Sequence, residues 1–376
     1  PTALALSTST LAENSAIGTV IGTLSSTDSD AGDTHTYSLV SGTGDTDNAS
    51  FEIVSGALRV KEVFNFETKP GYSIRIRSTD SGNLNFEQTF NITVSNVNEA
   101  PTALALSTST LAENSAIGTV IGTLSSTDSD AGDTHTYTLV SGAGDTDNAS
   151  FEIVSGALKV KEVFNFETKP GYSIRIRSTD SGNLNFEQTF NITVSNVNEA
   201  PTALALSTST LAENSAIGTV IGTLSSTDSD AGDTHTYTLV SGAGDTDNAS
   251  FEIVSGALKV KEVFNFETKP SYSIRIRSTD SGNLNFEQTF NITVSNVNEA
   301  PTALALSTST IAENSAIGTV IGTLSSTDSD AGDTHTYSLV SGTGDTDNIS
   351  FELSGNQLKV KEVFNFETKP SYSIRI

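Results

Sequence analysis

The chemistry this sequence concentrates is that of oxygen donors. The stretch STDSDAGDTH begins at Ser26 and returns at Ser126, Ser226 and Ser326, each time gathering three aspartates, the first being Asp28, Asp30 and Asp33. Around it in the first hundred residues stand Glu13 in LAEN, Glu67 in NFE, Asp80 in STDSGN, and Asn98 and Glu99 in NVNEAP. An Asp-x-Asp pair sets two carboxylates on one side of a loop, and the glycine that follows lets the backbone turn around an ion. Calcium takes roughly six to eight oxygens from carboxylates, amides and backbone carbonyls at flexible geometry. Softer metals find little to hold, because the chain has no cysteine and one histidine per repeat. No nucleophile–base pair, phosphate loop or metal-hydrolase motif is present, and the scattered serines have only that histidine to serve them. The chain reads as a non-enzyme.

These clusters recur because the chain does. Each of the first three blocks runs one hundred residues from PTALAL to NVNEA, and the fourth reaches Ile376. The first two blocks differ only at Ser38/Thr138, Thr43/Ala143 and Arg59/Lys159, and the second and third only at Gly171/Ser271. A period of this length is that of an independent domain rather than of a solenoid turn. The expected organisation is four repeats, 1–98, 99–198, 199–298 and 299–376, the last lacking its final strand. The joins at NVNEAPT are short, and their proline removes a donor and restricts the residue before it, so they read as stiff, extended links.

Nineteen basic residues against forty-five acidic ones give a net charge of −26. That balance repels nucleic acid and anionic membranes and attracts cations. No apolar run is long enough to cross a bilayer.

Positioning the carboxylates falls to short alternating apolar runs separated by Gly, Asn, Asp and Ser clusters. In the first repeat these are Leu4 and Leu6, the β-branched AIGTVIGTL run at 16–24, Tyr37 and Leu39, Phe51 and Ile53, Leu58 and Val60, Tyr72–Ile74–Ile76, and Phe90–Ile92–Val94. Period-2 spacing with a turn signal about every ten residues predicts an all-β fold, a seven-stranded Greek-key sandwich in each repeat. TLAENSA reads as an irregular crossing. Asp45 and Asp47 read as part of a solvated loop, His35 as a surface or capping residue, and the aromatics as core. Arg75 and Arg77, alternating with Ile74 and Ile76, mark an outward strand face.

The ordered set of motifs resembles the cadherin repeat, and most closely the bacterial cadherin-like repeats of large surface adhesins. It comprises an acidic residue early in the repeat, Asp-x-Asp after the second strand segment, the NFE turn, the STDSGN turn and an NVNEAP linker. The resemblance spans the whole chain and implies an extracellular, cell-surface protein whose calcium sites are shared by neighbouring repeats. It implies Glu13, Glu67, Asn98, Glu99, Asp128, Asp130 and Asp180 as ligands at the first join. At the second it implies Glu113, Glu167, Asn198, Glu199, Asp228, Asp230 and Asp280, and at the third Glu213, Glu267, Asn298, Glu299, Asp328 and Asp330. Two Ca2+ ions are expected per join, three if the outermost position fills. Asn65 stands where the family usually has an aspartate, which removes an anionic ligand from that outermost ion. The linker is one residue shorter than the family's and carries Glu99 in place of Asp.

The implied function is a calcium-stiffened spacer of a surface adhesin, a rod with roughly 40 Å per repeat from strands rising about 3.4 Å per residue. Crowding five carboxylates costs on the order of 1 kcal/mol per close pair even in screened surroundings, so divalent ions would turn a repulsive cluster into a clamp. Two alternatives carry different partners: homotypic self-association into a fibre or sheath, and binding of surface glycans, the latter opposed by the absence of tryptophan.

Overall fold

The computed structural model describes all residues, Pro1–Ile376. The chain divides into two compact units, Pro1–Val197 and Asn198–Ile376, each holding two repeats and described by itself.

In the first repeat, eight strand segments build two four-stranded sheets. They are β1 (Ala3–Leu6), β2 (Thr10–Ala12), β3 (Val20–Thr27), β4 (His35–Leu39), β5 (Phe51–Val54), β6 (Ala57–Val60), β7 (Gly71–Asp80) and β8 (Asn85–Ser95). One sheet has the order β1-β3-β6-β5 and the other β2-β8-β7-β4. The expected seven strands become eight segments because the first divides between the sheets. β1 pairs antiparallel with β3, whereas β2 pairs parallel with β8, setting Leu11 beside Val94 and Ala12 beside Ser95. The opening of TLAENSA, read from sequence as an irregular crossing, is therefore a short strand. Its three residues carry too little periodicity to declare themselves, and the pairing is supplied from more than eighty residues away.

Alternation fixes which face each strand buries. Ile74 and Ile76 of β7, Ile92 and Val94 of β8, and Leu58 and Val60 of β6 meet between the sheets with Leu4 and Leu24. Phe64 stacks on Tyr72 at 4.2 Å between centroids, and Phe51 meets Phe64 edge-on at 5.3 Å. The arginines between Ile74 and Ile76 and beyond lie outside, where Arg75 and Arg77 both bind Glu87 of the neighbouring strand. A bulge between Val20 and Gly22 admits the 7–9 crossing so closely that a Cβ on Gly22 would fall 2.6 Å from the Thr8 carbonyl oxygen. Only glycine fits there.

The second and third repeats recur with the same eight segments and sheet orders, from Ala103–Leu106 to Asn185–Ser195 and from Ala203–Leu206 to Asn285–Ser295. Each has its own apolar core. The fourth repeat keeps a single sheet, Ala303–Leu306, Val320–Thr327, Gln357–Val360 and Phe351–Ser354 in spatial order. Its segment equivalent to β4 and the 371–376 part of its β7 equivalent carry no ladder, because the described residues stop at Ile376, short of most of the residues that pair with β4 and of any strand equivalent to β8.

Candidate metal centre

At the C-terminal end of the first repeat, the parallel pairing of β2 with β8 brings Glu13 beside the start of the linker. The Glu13 backbone N–H donates to the Ser95 carbonyl at 3.1 Å. Its side chain, 2% exposed, accepts from the Phe66 N–H at 2.7 Å and from the Val97 N–H at 2.8 Å. One carboxylate thus ties together the end of a strand, the turn that bears Glu67, and the linker. That turn is set by Asn65, whose side-chain oxygen accepts the Thr68 N–H at 2.7 Å and whose amide donates to Glu67 at 3.1 Å.

Carboxylate oxygens of Glu13, Glu67 and Glu99 all lie within 4.8 Å of one another. Asn14, held at a φ of 57°, donates its side-chain amide to Glu99. Partial burial raises the Glu67 carboxyl above its ordinary value, and the neighbouring Glu13 and Glu99 add to the rise.

The facing wall belongs to the second repeat. The Glu99 backbone N–H donates to Asp130 at 2.7 Å, and the Asn98 side-chain amide donates to Asp180 at 3.1 Å, so both linker residues are held by the repeat that follows. Asp130 and Asp180 are 7% and 5% exposed. Asp128 accepts the Asp130 N–H at 3.2 Å and contacts His135 Nε2 at 2.9 Å. Asp180 closes its own turn by accepting the Leu184 N–H at 2.9 Å. In that turn a Cβ on Gly182 would fall 2.2 Å from the Asn98 side-chain oxygen, so glycine is what admits the linker.

Two residues here escaped the sequence reading. Asp133 stands with Asp128 and Asp180, their oxygens within 4.8 Å of one another, and accepts from the Ser181 hydroxyl at 2.8 Å. Gly132, at a φ of 103°, turns the backbone between Asp130 and Asp133, and the Asp-x-Asp-x-Gly-Asp spacing was the signal for it. His135 orients Asp128 instead of serving only as a surface or capping group, as do His35, His235 and His335 with their own aspartates.

The second unit repeats the arrangement between its own two repeats. Glu213 accepts the Phe266 and Val297 N–H groups at 2.9 and 2.8 Å, and the Glu299 N–H donates to Asp330 at 2.7 Å. Oxygens of Glu213, Glu267 and Glu299 lie within 4.8 Å of one another. The Glu299 carboxyl is raised, chiefly by burial, with Glu213, Asp330 and Glu267 adding to the rise against the Asn214 hydrogen bond. His335 first, then the Asp330 N–H, hold Asp328 below its ordinary value. Asn298 donates to the Glu299 carbonyl at 3.0 Å. The described residues stop at Ile376, before the turn that would correspond to the one bearing Asp180.

Between residues 197 and 198 the chain passes from one unit to the other, and each side is seen alone. In the first unit Glu113 accepts the Phe166 and Val197 N–H groups, each at 2.8 Å, and Glu167 accepts from Asn165 at 3.1 Å. In the second, Asn198 donates to Asp280 at 3.1 Å, the Glu199 N–H donates to Asp230 at 2.7 Å, and Asp228 contacts His235 at 2.9 Å.

The donor set fits a hard cation. Buried carboxylate oxygens without any hydrogen-bond donor are costly and rare in folded proteins. Here they include Oε2 of Glu99, Oδ2 of Asp133, Oε2 of Glu299 and Oδ1 of Asp330. All are anionic oxygens, the type calcium takes.

Asp47 departs from its reading as a solvated loop residue. It is largely covered, pairs with Lys69 and accepts the Ser73 N–H at 2.8 Å. Its partner lies too far along the sequence for the local GTGDTDN pattern to reveal it.

Comparison with known proteins identifies the repeat. The cadherin domain family matches residues 207–295. Cadherin-18 of Bos taurus is 28% identical over 292 residues, 70% of this chain and 37% of that protein. Protocadherin Fat 4 of Homo sapiens is 26% identical over 393 residues, covering all of this chain and 8% of that protein. The chain thus spans little more than a third of the first relative and a small part of the second. Among solved structures, the protocadherin gammaB7 EC3-6 cis-dimer has a TM-score of 0.63 at 20% identity, with 96% of this chain and 92% of that one covered. The protocadherin GammaB4 extracellular domain gives 0.65 at 21%, with 97% and 62% covered. These two likenesses speak for the fold. Residues 207–295 carry the family's match, the repeats before them are nearly the same sequence, and the fold of the chain is that of tandem cadherin domains.

Proposed function

We propose that this chain is a spacer segment of an extracellular adhesion protein, stiffened by calcium held where consecutive repeats meet. The observation that carries it is the convergence of Glu13, Glu67 and Glu99 at one side of a join whose linker is gripped from the other by Asp130 and Asp180. Calcium would supply the positive charge that this cluster lacks. Glu13 and Glu67 would hold it from the first repeat, Glu99 from the linker, and Asp128, Asp130 and Asp180 from the second, with Asp133 added to the set inferred from sequence. Glu213, Glu267, Glu299, Asp328 and Asp330 would do the same in the second unit. Two ions per complete join fit the number of carboxylates.

Because the ligands come from both repeats, ion binding is also docking, and its free energy appears as added stability. The near identity of the repeats supports a spacer, which needs length more than distinct surfaces. It also supports descent from a large surface adhesin of the bacterial kind, although the relatives compared are animal proteins. The test is a thermal melt and small-angle scattering of the chain in calcium and then in chelator. A higher melting temperature and a larger maximum dimension in calcium are expected. Identical curves in both conditions would reduce the clusters to polar turns.

A second reading, homotypic association, is favoured by exposed apolar side chains that recur every hundred residues, among them Ile17, Val63, Ile117 and Val163. A related structure is described as a cis-dimer. Sedimentation equilibrium of the calcium-loaded chain would show a concentration-dependent dimer under this reading and a monomer without it.

A further inference from the structure

Each of the first three repeats sets an asparagine with positive φ directly after its first buried glutamate. Asn14, Asn114 and Asn214 all stand at a φ of 57°, a left-handed conformation that glycine adopts most readily and asparagine tolerates. The bend sends neighbouring side chains to different partners. The Glu13 carboxylate turns inward to the Phe66 and Val97 N–H groups, while the Asn14 backbone N–H donates to the Phe64 carbonyl at 3.0 Å. Asn14 itself is exposed, so neither packing nor the bend asks for more than a glycine. Its side chain has a different use. The amide donates to Oε1 of Glu99, 85 residues along the chain, and the Asn214 amide does the same for Glu299. Glu99 is thereby held at both ends, its side chain by the repeat before it and its backbone N–H by Asp130 of the repeat after it, at 2.7 Å. Glu299 stands likewise between Asn214 and Asp330. With Oε1 taken, Oε2 of each glutamate is covered and receives no hydrogen bond. Glu99 belongs to the cluster in which one oxygen each from Glu13, Glu67 and Glu99 lie within 4.8 Å of one another, and Glu299 to its counterpart with Glu213 and Glu267.

We propose that Asn14 and Asn214 are positioning residues for calcium, each fixing Oε1 of its linker glutamate and leaving Oε2 to the ion. The inference rests on the calcium reading of the joins and adds to it a residue outside the ligand set. A glutamate has one more rotatable bond than an aspartate, and a side chain that is already held has less freedom to lose when an ion arrives. The amide is suited to the task because it donates to a carboxylate without adding a charge to a crowded anionic cluster. This accounts for asparagine where glycine would satisfy the backbone.

The test is a double-mutant cycle on the full chain, with Asn14→Gly and Asn214→Gly made together, alone and combined with Glu99→Gln and Glu299→Gln. Glycine keeps the positive φ and removes only the amide, and circular dichroism in chelator checks that the β-fold is kept. In calorimetric titration with calcium chloride, the glycine pair should raise the calcium needed to fill the altered joins about fivefold. In the glutamine background the same pair should change it by less than about twofold, because the two residues act through one contact. A second readout needs no calcium. The linker peptides 96–99, 196–199 and 296–299 share one sequence, and in chelator the glycine pair should split their hydrogen exchange into a faster population and an unaltered one from 196–199. Unchanged calcium binding, an equal loss in both backgrounds, or exchange that does not split would overturn the assignment. A wild-type chain that takes up no calcium would instead overturn the calcium reading, and the assignment with it.

Discussion

Glu13 shows how one side chain sets a join. Two backbone N–H groups, from Phe66 and Val97, are spent on it, and charge-assisted bonds of this kind are worth more than neutral ones. Replacing it by glutamine keeps the volume but turns a donor toward one of those N–H groups, so Glu13→Gln is expected to destabilise the first repeat by about 1–3 kcal/mol, measured by denaturant unfolding without calcium. Gly182→Ala tests the other wall. Its new Cβ would meet the Asn98 amide and push the linker away from Asp180, and the expected outcome is fewer calcium ions bound per chain in equilibrium dialysis. Gly82→Ala, whose Cβ would lie 3.3 Å from its nearest neighbour, Asp80, should leave that number unchanged. At this scale the sequence was informative where ligand type alone decides, as in Glu13, Glu67 and the Asp-x-Asp pairs. It left Asp133 and His135 outside the ligand set, because their placement depends on a backbone turn at Gly132 and on a fold that returns His135 to Asp128.

Among the elements, the loop 41–50 is pinned to the start of β7 by Asp47. Partial burial pushes that carboxyl up, but the Lys69 ammonium and the Ser73 N–H outweigh it, and its pKa sits below the ordinary value. The same holds at Asp147 and Asp247. A depressed carboxylate contributes stability that is fully present above the unfolded value, about 4, and is lost as pH falls through the lower folded value. Glu87 behaves likewise under Arg75 and Arg77. The chain without calcium should therefore lose melting temperature steeply below about pH 4. Asp47→Asn, with Asp147→Asn and Asp247→Asn, should lower the neutral-pH melting temperature and flatten that acid slope. Ile74→Ala, in a fully buried position, should cost about 2–5 kcal/mol. The buried strands were legible from alternation, since Ile74, Ile76, Ile92 and Val94 keep strict period 2. The split of the first strand was not, because three residues such as Thr10–Ala12 acquire their identity from the partner they reach.

For the molecule as a whole, the proposed function together with a net charge of −26 makes monovalent salt only a partial substitute for calcium. Screening weakens repulsion among exposed carboxylates, but it supplies no ligand bonds to Glu99 or Asp133. Raising sodium chloride in chelator should accordingly recover only part of the melting temperature that calcium gives, and calcium added at high salt should still raise it. No helix is long and apolar enough to cross a membrane. The parallel pairing of Thr10–Ala12 with Thr93–Ser95 also bears on how a repeat answers a pull. A tension applied through the two chain ends enters one of these strands from its N-terminal side and leaves the other from its C-terminal side. The bonds between them are then loaded in shear and must fail together, whereas a hairpin pulled at its open end gives way one rung at a time.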